Sequence, residues 1–163
     1  DPVAQVNAAC VALACLPRTK VAACSSLYSS APMGPQDQPG YINAVVALDT
    51  ELEADALLDG LQQIERQQGR VRKAERWGPR TLDLDILLFG NVRINSDRLQ
   101  VPHYHMHARA FVLYPLAELA PDLQMPDGTP LQKLLQDCPR GDLQTLTVFI
   151  QQPDAQTGLT PNG

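Results

Sequence analysis

Aromatic residues are scarce in this sequence, and basic residues are outnumbered by acidic ones. Phe, Trp and Tyr make up 5% of the 163 residues, and the aromatic strand motifs typical of RNA-recognition modules are absent. The 13 Lys and Arg against 18 Asp and Glu give a formal net charge of −5 at pH 7. Because nucleic acids and anionic membranes attract basic proteins, this balance argues against binding to either.

The cysteines lack the spacing of a metal site. Cys10, Cys15, Cys24 and Cys138 form no CxxC pair, so we interpret them as reduced thiols, mostly buried, which favours a cytoplasmic protein. The sequence shows neither a signal peptide nor an apolar run long enough to span a bilayer. Its length predicts a single domain over residues 1–150, and the polar tail 151–163 is expected to be disordered.

The most informative stretch is 82–88, where apolar and polar residues alternate and predict a β-strand. The apolar side chains would occupy one face, and Asp83 and Asp85 the other. Two carboxylates on such a strand repel each other and resist burial, and a divalent cation between them removes that penalty. Mg²⁺, which binds carboxylates, waters and substrate phosphates, is the expected cation. The structural alternative is that both aspartates merely occupy the exposed side of a half-buried sheet.

Cationic residues crowd the segment that precedes this strand. A cationic cluster beside a carboxylate pair suits a polyphosphate–metal complex, because guanidinium groups bind phosphate oxygens in bidentate fashion. Trp77, between two arginines, is placed to stack on a flat heterocycle. The alternative is a solvated charged face. The cluster comprises Arg66, Arg70, Arg72, Lys73, Arg76 and Arg80.

The stretch 76–86, Arg-Trp-Gly-Pro-Arg-Thr-Leu-Asp-Leu-Asp-Ile, resembles the signature of the 6-hydroxymethyl-7,8-dihydropterin pyrophosphokinase family of folate biosynthesis. Further matches occur in the family's order: Gly-Pro-Gln-Asp-Gln-Pro at 34–39 with Tyr41 and Asn43, Gln-Gly-Arg-Val-Arg at 68–72, and Val-Pro-His-Tyr at 101–104. The resemblance extends from about Pro2 to Pro139.

Periodicity and turn residues predict the elements of the fold. Helices are expected from Pro2 to Pro17, over 53–68 with Gly69 as the C-terminal cap, over 111–120 with a break at Pro115, and over 131–136. Strands are expected over 21–28, 41–50, 82–88 and 143–150, with a short hairpin over 92–101. The loop 69–79 is interpreted as a mobile lid.

The order of these elements is that of an α+β fold. The resemblance implies one further strand ahead of the first helix, which this sequence does not contain. With that strand the order becomes ferredoxin-like, with helices packed on a mixed, largely antiparallel sheet.

The resemblance also implies a reaction, the transfer of pyrophosphate from ATP to 6-hydroxymethyl-7,8-dihydropterin with release of AMP. It implies two Mg²⁺ ions on Asp83 and Asp85, with Arg70 and Arg80 closing on the transferring group. The implied ATP-binding residues are Gln62, Glu65, Arg72, Ile86, Arg98, His103, Tyr104 and Arg109. The implied pterin-binding residues are Ser30, Ala31, Met33, Tyr41, Asn43, Trp77 and Phe111.

Other interpretations remain open at this point. A non-catalytic module of the same fold would bind ATP–Mg²⁺ without transferring anything, and a plain RNA-binding domain would show steeply salt-dependent RNA affinity. The alternating histidines at 103, 105 and 107 suggest a zinc site, although the resemblance needs only His103. We expect a monomer whose partners are ATP and the pterin, with no nucleic acid and no membrane.

Overall fold

The computed structural model describes residues 2–30, 41–71 and 82–146, with the side chains of 69–71 excepted. Within these ranges there are four α-helices: α1 (Pro2–Ala14), α2 (Ala54–Val71), α3 (Ala110–Leu119) and α4 (Leu131–Gln136). A 3₁₀ turn, Met106–Ala108, precedes α3. The strands are β1 (Thr19–Cys24), β2 (Tyr28–Ser30), β3 (Tyr41–Asn43), β4 (Val46–Thr50), β5 (Ile94–Asn95), β6 (Gln100–Val101) and β7 (Gln144–Thr145).

Every strand pair in the described part of the chain is antiparallel. β1 pairs with β4, β2 lies between β3 and β7, and β5 pairs with β6 in the predicted hairpin. The predicted α+β class with largely antiparallel pairing is therefore confirmed. The described pairs form three small sheets rather than one continuous sheet.

Two predicted strands are each divided in two. The stretch 21–28 forms β1 and the start of β2, and 41–50 forms β3 and β4. The two interruptions face each other, because the Ser25 amide donates to the Val45 carbonyl at 2.9 Å and the Ser25 hydroxyl accepts from the Val45 amide at 2.9 Å. A side chain that replaces a ladder bond in this way allows both strands to change direction together.

Three predictions about the helices are wrong. Helix α1 ends at Ala14 rather than at Pro17. Helix α2 does not end before Gly69 but continues to Val71, so the first residues of the predicted lid are helical. Helix α3 is not broken at Pro115. Proline removes one intrahelical hydrogen bond, but Pro115 is almost fully buried in the core, and its packing offsets that loss.

The predicted strand 82–88 is also wrong as a strand, since 82–89 is assigned to no strand. A cavity of about 700 Å³ is lined both by consecutive residues of β4 and by consecutive residues over 83–90. A strand requires hydrogen bonds to a partner about 4.8 Å away, and none of the described strands pairs with this segment. The turn predicted after this stretch is confirmed, with Gly90 at φ 56°.

The apolar core has two main clusters on either side of the 82–89 segment. Leu61 and Ile64 of α2, each 5% exposed, belong to the first cluster, together with Ile86. Met106 and Leu113, both fully buried, belong to the second, which α3 and α4 cover. The four cysteines are free thiols, of which Cys10 and Cys138 are buried and Cys15 is exposed. None of the described helices is long and apolar enough to cross a membrane.

Candidate active site

The Asp83–Asp85 pair lies exposed at the edge of the fold, although the segment that carries it is not a strand. Asp83 and Asp85 are exposed, Leu84 between them is partly buried, and Ile86 is 7% exposed. This alternation is the one predicted from the sequence, and it presents the two carboxylates to solvent while their apolar neighbours pack on the first core cluster. Both carboxylates are therefore accessible to a ligand.

Two hydrogen bonds from other parts of the chain hold this segment. The Leu84 amide donates to Glu65 Oε2 of α2 at 2.6 Å, and the His103 amide donates to the Leu87 carbonyl at 2.9 Å. The first bond lies between the two aspartates in the chain, and the second lies two residues beyond Asp85. The structure thus brings Glu65 and His103, both predicted site residues, next to the carboxylate pair.

His103 also approaches the pair through its ring. Its Nε2 lies 3.9 Å from Asp85 Oδ2, and its Nδ1 accepts a hydrogen bond of 3.3 Å from the His105 amide. Tyr104, predicted to contact ATP, is 67% exposed, and its ring centroid lies 4.3 Å from that of His105. A partly buried imidazole therefore borders Asp85, and an exposed phenol ring lies against the nearby His105.

The described residues contain no cluster of three or more histidine, cysteine or acidic side chains that could hold a metal ion. The zinc interpretation of the alternating histidines therefore gains no support from the described part of the chain. Asp83 and Asp85 supply two carboxylates on one side of an extended segment, a donor set that fits Mg²⁺, because this cation commonly keeps several waters and completes its shell with substrate phosphates.

The predicted ATP-binding residues on and near α2 have different surroundings. Arg98 Nη2 lies 2.6 Å from Asp59 Oδ1, and both side chains are largely exposed. Gln62, one turn beyond Asp59, is exposed. Sequence reasoning missed Asp59, although its spacing from Gln62 placed it on the same side of the helix. The Ile86 side chain is buried in the core, which leaves its backbone for any nucleotide contact.

The predicted pterin-binding residues of the described sheet lie on β2 and β3. Ser30 pairs with Tyr41, and Tyr28 pairs with Asn43. Tyr41 is 50% exposed, whereas Asn43 is partly buried, and the alternation of a strand places the two side chains on one face. The described β3 thus presents an exposed aromatic ring and a partly buried amide on one face.

Arg109 and Phe111 lie together at the start of α3. Arg109 is the residue before the helix, and its guanidinium carbon lies 5.5 Å from the centroid of the Phe111 ring, within the range of a cation–π contact. Phe111 is partly buried against the second core cluster. Its role as a second wall of a pterin site therefore stays a prediction beside its packing role.

Several predicted residues lie outside the described part of the chain. They are Ala31 and Met33 of the predicted pterin loop, and Arg72, Trp77 and Arg80 of the predicted lid. The Arg70 side chain and the predicted tail 151–163 lie outside it as well. Their assignments stay predictions.

The chain was compared with known protein families. A model of the family 7,8-dihydro-6-hydroxymethylpterin-pyrophosphokinase (HPPK) matches residues 1–121. This chain belongs to the HPPK family. The resemblance read from the stretch 76–86 is thereby confirmed, and the match includes Asp83, Asp85 and His103.

Curated relatives agree with this assignment. A Pseudomonas aeruginosa protein named 2-amino-4-hydroxy-6-hydroxymethyldihydropteridine pyrophosphokinase is 58% identical over 146 residues, which are 90% of this chain and 90% of the relative. A Haemophilus influenzae protein of the same name is 53% identical over 134 residues, or 82% of this chain and 83% of the relative. One from Bacillus subtilis is 47% identical over 100 residues, or 61% of this chain and 59% of the relative.

Proposed function

We propose that this chain transfers a pyrophosphoryl group from ATP to the hydroxymethyl oxygen of 6-hydroxymethyl-7,8-dihydropterin and releases AMP, as a step of folate biosynthesis. The HPPK family match and the names of the curated relatives support this activity. The structural observation that carries it is the exposed Asp83–Asp85 pair, held between Glu65 and the His103 backbone.

In this reaction the hydroxymethyl oxygen attacks the β-phosphorus of ATP, and the bond from that phosphorus to the α-phosphate oxygen breaks. AMP leaves, and the hydroxyl proton passes to solvent. The protein has little covalent chemistry to perform, so its residues act by positioning and by stabilising charge.

We propose that Asp83 and Asp85 hold two Mg²⁺ ions together with the phosphates of ATP. When bound, Mg²⁺ would neutralise phosphate charge and lower the proton affinity of the attacking hydroxyl. His103, whose imidazole lies beside Asp85, would contact an ATP phosphate. The Asp59–Arg98 pair lies at the surface, and Arg98 would exchange that partner for a nucleotide phosphate at low cost, since exposed ion pairs contribute about 1 kcal/mol or less.

Tyr41 and Asn43 would bind the pterin on the other side of the site, the ring by stacking and the amide by hydrogen bonds to the donor–acceptor edge. Ser30, Ala31, Met33, Trp77 and Phe111 are assigned to the same substrate. Arg70 and Arg80 are assigned to the transferring group, and Gln62, Arg72, Tyr104, Arg109 and the Ile86 backbone to ATP. We also propose that the protein is a monomer and that it is cytoplasmic; its free thiols support the second assignment.

Product analysis tests this proposal. The chain is incubated with 6-hydroxymethyl-7,8-dihydropterin, ATP and Mg²⁺, and the nucleotides are separated. We expect AMP in equal amount to the pterin diphosphate. ADP in place of AMP would contradict pyrophosphoryl transfer, whereas ATP binding without any product would indicate a non-catalytic module. Omission of Mg²⁺ should abolish the product, and Asp122→Asn, at an exposed aspartate beyond α3, is the control for a general change in charge.

A further inference from the structure

We propose that Glu65 is a positioning residue for the Asp83–Asp85 pair and that its carboxylate anchors the backbone between them. This inference rests on the proposed function of the two aspartates. It differs from the role that the sequence resemblance implies for Glu65, which is direct contact with ATP.

The contact that carries the inference is the hydrogen bond from the Leu84 amide to Glu65 Oε2, which measures 2.6 Å and joins residues 19 positions apart. The acceptor is a carboxylate oxygen, and hydrogen bonds to ionised acceptors are stronger than those between neutral groups. Leu84 is the residue between the two aspartates, so a bond at its amide constrains the backbone on both sides. In extended backbone, that constraint directs Asp83 and Asp85 toward the same side.

Glu65 is itself held in place by its helix. Its neighbours Leu61 and Ile64 are each 5% exposed and pack in the first core cluster. The packing of this helix fixes the backbone position from which the Glu65 carboxylate extends. Glu65 is partly buried, whereas Gln62 on the preceding turn is exposed. Gln62 therefore suits a nucleotide contact better than Glu65 does.

The segment needs an anchor because it lies in no strand, so no ladder of hydrogen bonds keeps the described residues 82–89 extended. The carboxylates of Asp83 and Asp85 repel each other before a cation binds, and this repulsion favours a backbone in which they diverge. The Glu65 bond at Leu84 and the His103 bond at Leu87 together oppose that change. The hydrogen bond at Leu84 therefore holds the two carboxylates on the same side of the segment before a cation binds.

Three variants of the full chain test the inference: Glu65→Ala, which removes the acceptor, Glu65→Gln, which keeps an acceptor oxygen without the charge, and Gln63→Ala as the control. Gln63 is an exposed residue of the same helix. The first readout is hydrogen exchange of the Leu84 amide, followed by NMR in metal-free and nucleotide-free protein. The second is the dependence of AMP formation on Mg²⁺ and on ATP.

We expect Glu65→Ala to speed exchange at Leu84 by roughly 10- to 100-fold, the range for loss of a hydrogen bond to a charged group, with the Leu61 and Ile64 amides unchanged. Glu65→Gln should show a smaller increase, and Gln63→Ala none. The Mg²⁺ concentration for half-maximal rate should rise and kcat should fall in Glu65→Ala, while KM for ATP stays within about twofold, since an anchor does not touch the nucleotide.

Exchange at Leu84 within twofold of the parent protein in Glu65→Ala would overturn the inference. So would a higher KM for ATP with an unchanged Mg²⁺ dependence, because that pattern indicates direct nucleotide contact. If Glu65→Ala does not fold, Glu65→Gln decides by the same two readouts. If the parent chain forms no AMP, the proposed function fails, but exchange at Leu84 and direct titration with Mg²⁺ still test the anchor by themselves.

Discussion

Replacement of Ser25 by alanine is expected to destabilise the fold although Ser25 contacts no proposed substrate. Ser25 is 2% exposed. Its hydroxyl accepts a hydrogen bond of 2.9 Å from the Val45 amide and donates one of 2.8 Å to the Ser26 carbonyl. Ser25→Ala removes that acceptor and leaves the Val45 amide without it in a site that water does not reach.

The expected loss follows from the burial of both partners, since Ser25 is 2% exposed and Val45, 8% exposed, belongs to the second core cluster. A buried donor left without a partner costs about 1–3 kcal/mol of unfolding free energy. For a chain of this size each kcal/mol lowers Tm by about 2–4 °C. The two strand interruptions meet at this bond, so the change also loosens the connection between β3, which carries Tyr41 and Asn43, and the rest of the fold.

Urea denaturation and thermal unfolding measure the effect, and Ser96→Ala provides a matched control. The Ser96 hydroxyl makes the same kind of pair, accepting from the Leu99 amide at 3.1 Å and donating to the Leu99 carbonyl at 3.2 Å. Leu99 is as buried as Val45, but Ser96, unlike Ser25, is exposed. Water can replace its hydroxyl there, so we expect a loss well below 1 kcal/mol. If Ser25→Ala proves no more destabilising than Ser96→Ala, the argument from burial is refuted.

Three further predictions concern the site and the pH dependence of stability. Asp85→Ala should abolish turnover because the charge balance of the metal site is lost, and a rate within threefold of the parent would contradict the metal assignment. Arg80→Ala should slow the single-turnover rate more than it weakens ATP binding, as expected for a contact that tightens in the transition state; an unchanged single-turnover rate would exclude that role. Burial raises the pKa of Cys138 above its ordinary value of 9.0, so its thiol stabilises the fold below pH 9 and loses that contribution as the pH rises further. The difference in urea midpoint between the parent and Cys138→Ala should accordingly shrink from pH 8 to pH 10, and a constant difference would count against the shift.

Local signals in the sequence predicted the helices better than the strands. Helix α1 begins at Pro2 and buries Cys10 and Leu13 as the periodicity requires, because capping and apolar spacing act within a few residues. The division of the predicted strands at Ser25 and Val45 depends on a hydrogen bond between residues 20 positions apart. No local pattern encodes such a bond, so the boundaries could not be predicted.

The same distinction applies to the candidate site. Which residue types take part was predictable, since carboxylates at 83 and 85 and a histidine at 103 carry their chemistry in any fold. The atoms that these residues contact could not be predicted. The bond of Glu65 to Leu84, and that of Arg98 to Asp59, join elements far apart in the sequence, and each changes the role that a residue can have.

In the 82–89 segment the predicted alternation of buried and exposed side chains is correct, but the predicted strand is not formed. Alternation reports which side chains face the core, and the exposed aspartates and buried Ile86 agree with it. A strand also requires a hydrogen-bonded partner about 4.8 Å away, and none of the described strands pairs with residues 82–89. On the inference drawn above, the Glu65 carboxylate and the His103 amide, which bond to Leu84 and Leu87, hold this segment in place of a strand ladder.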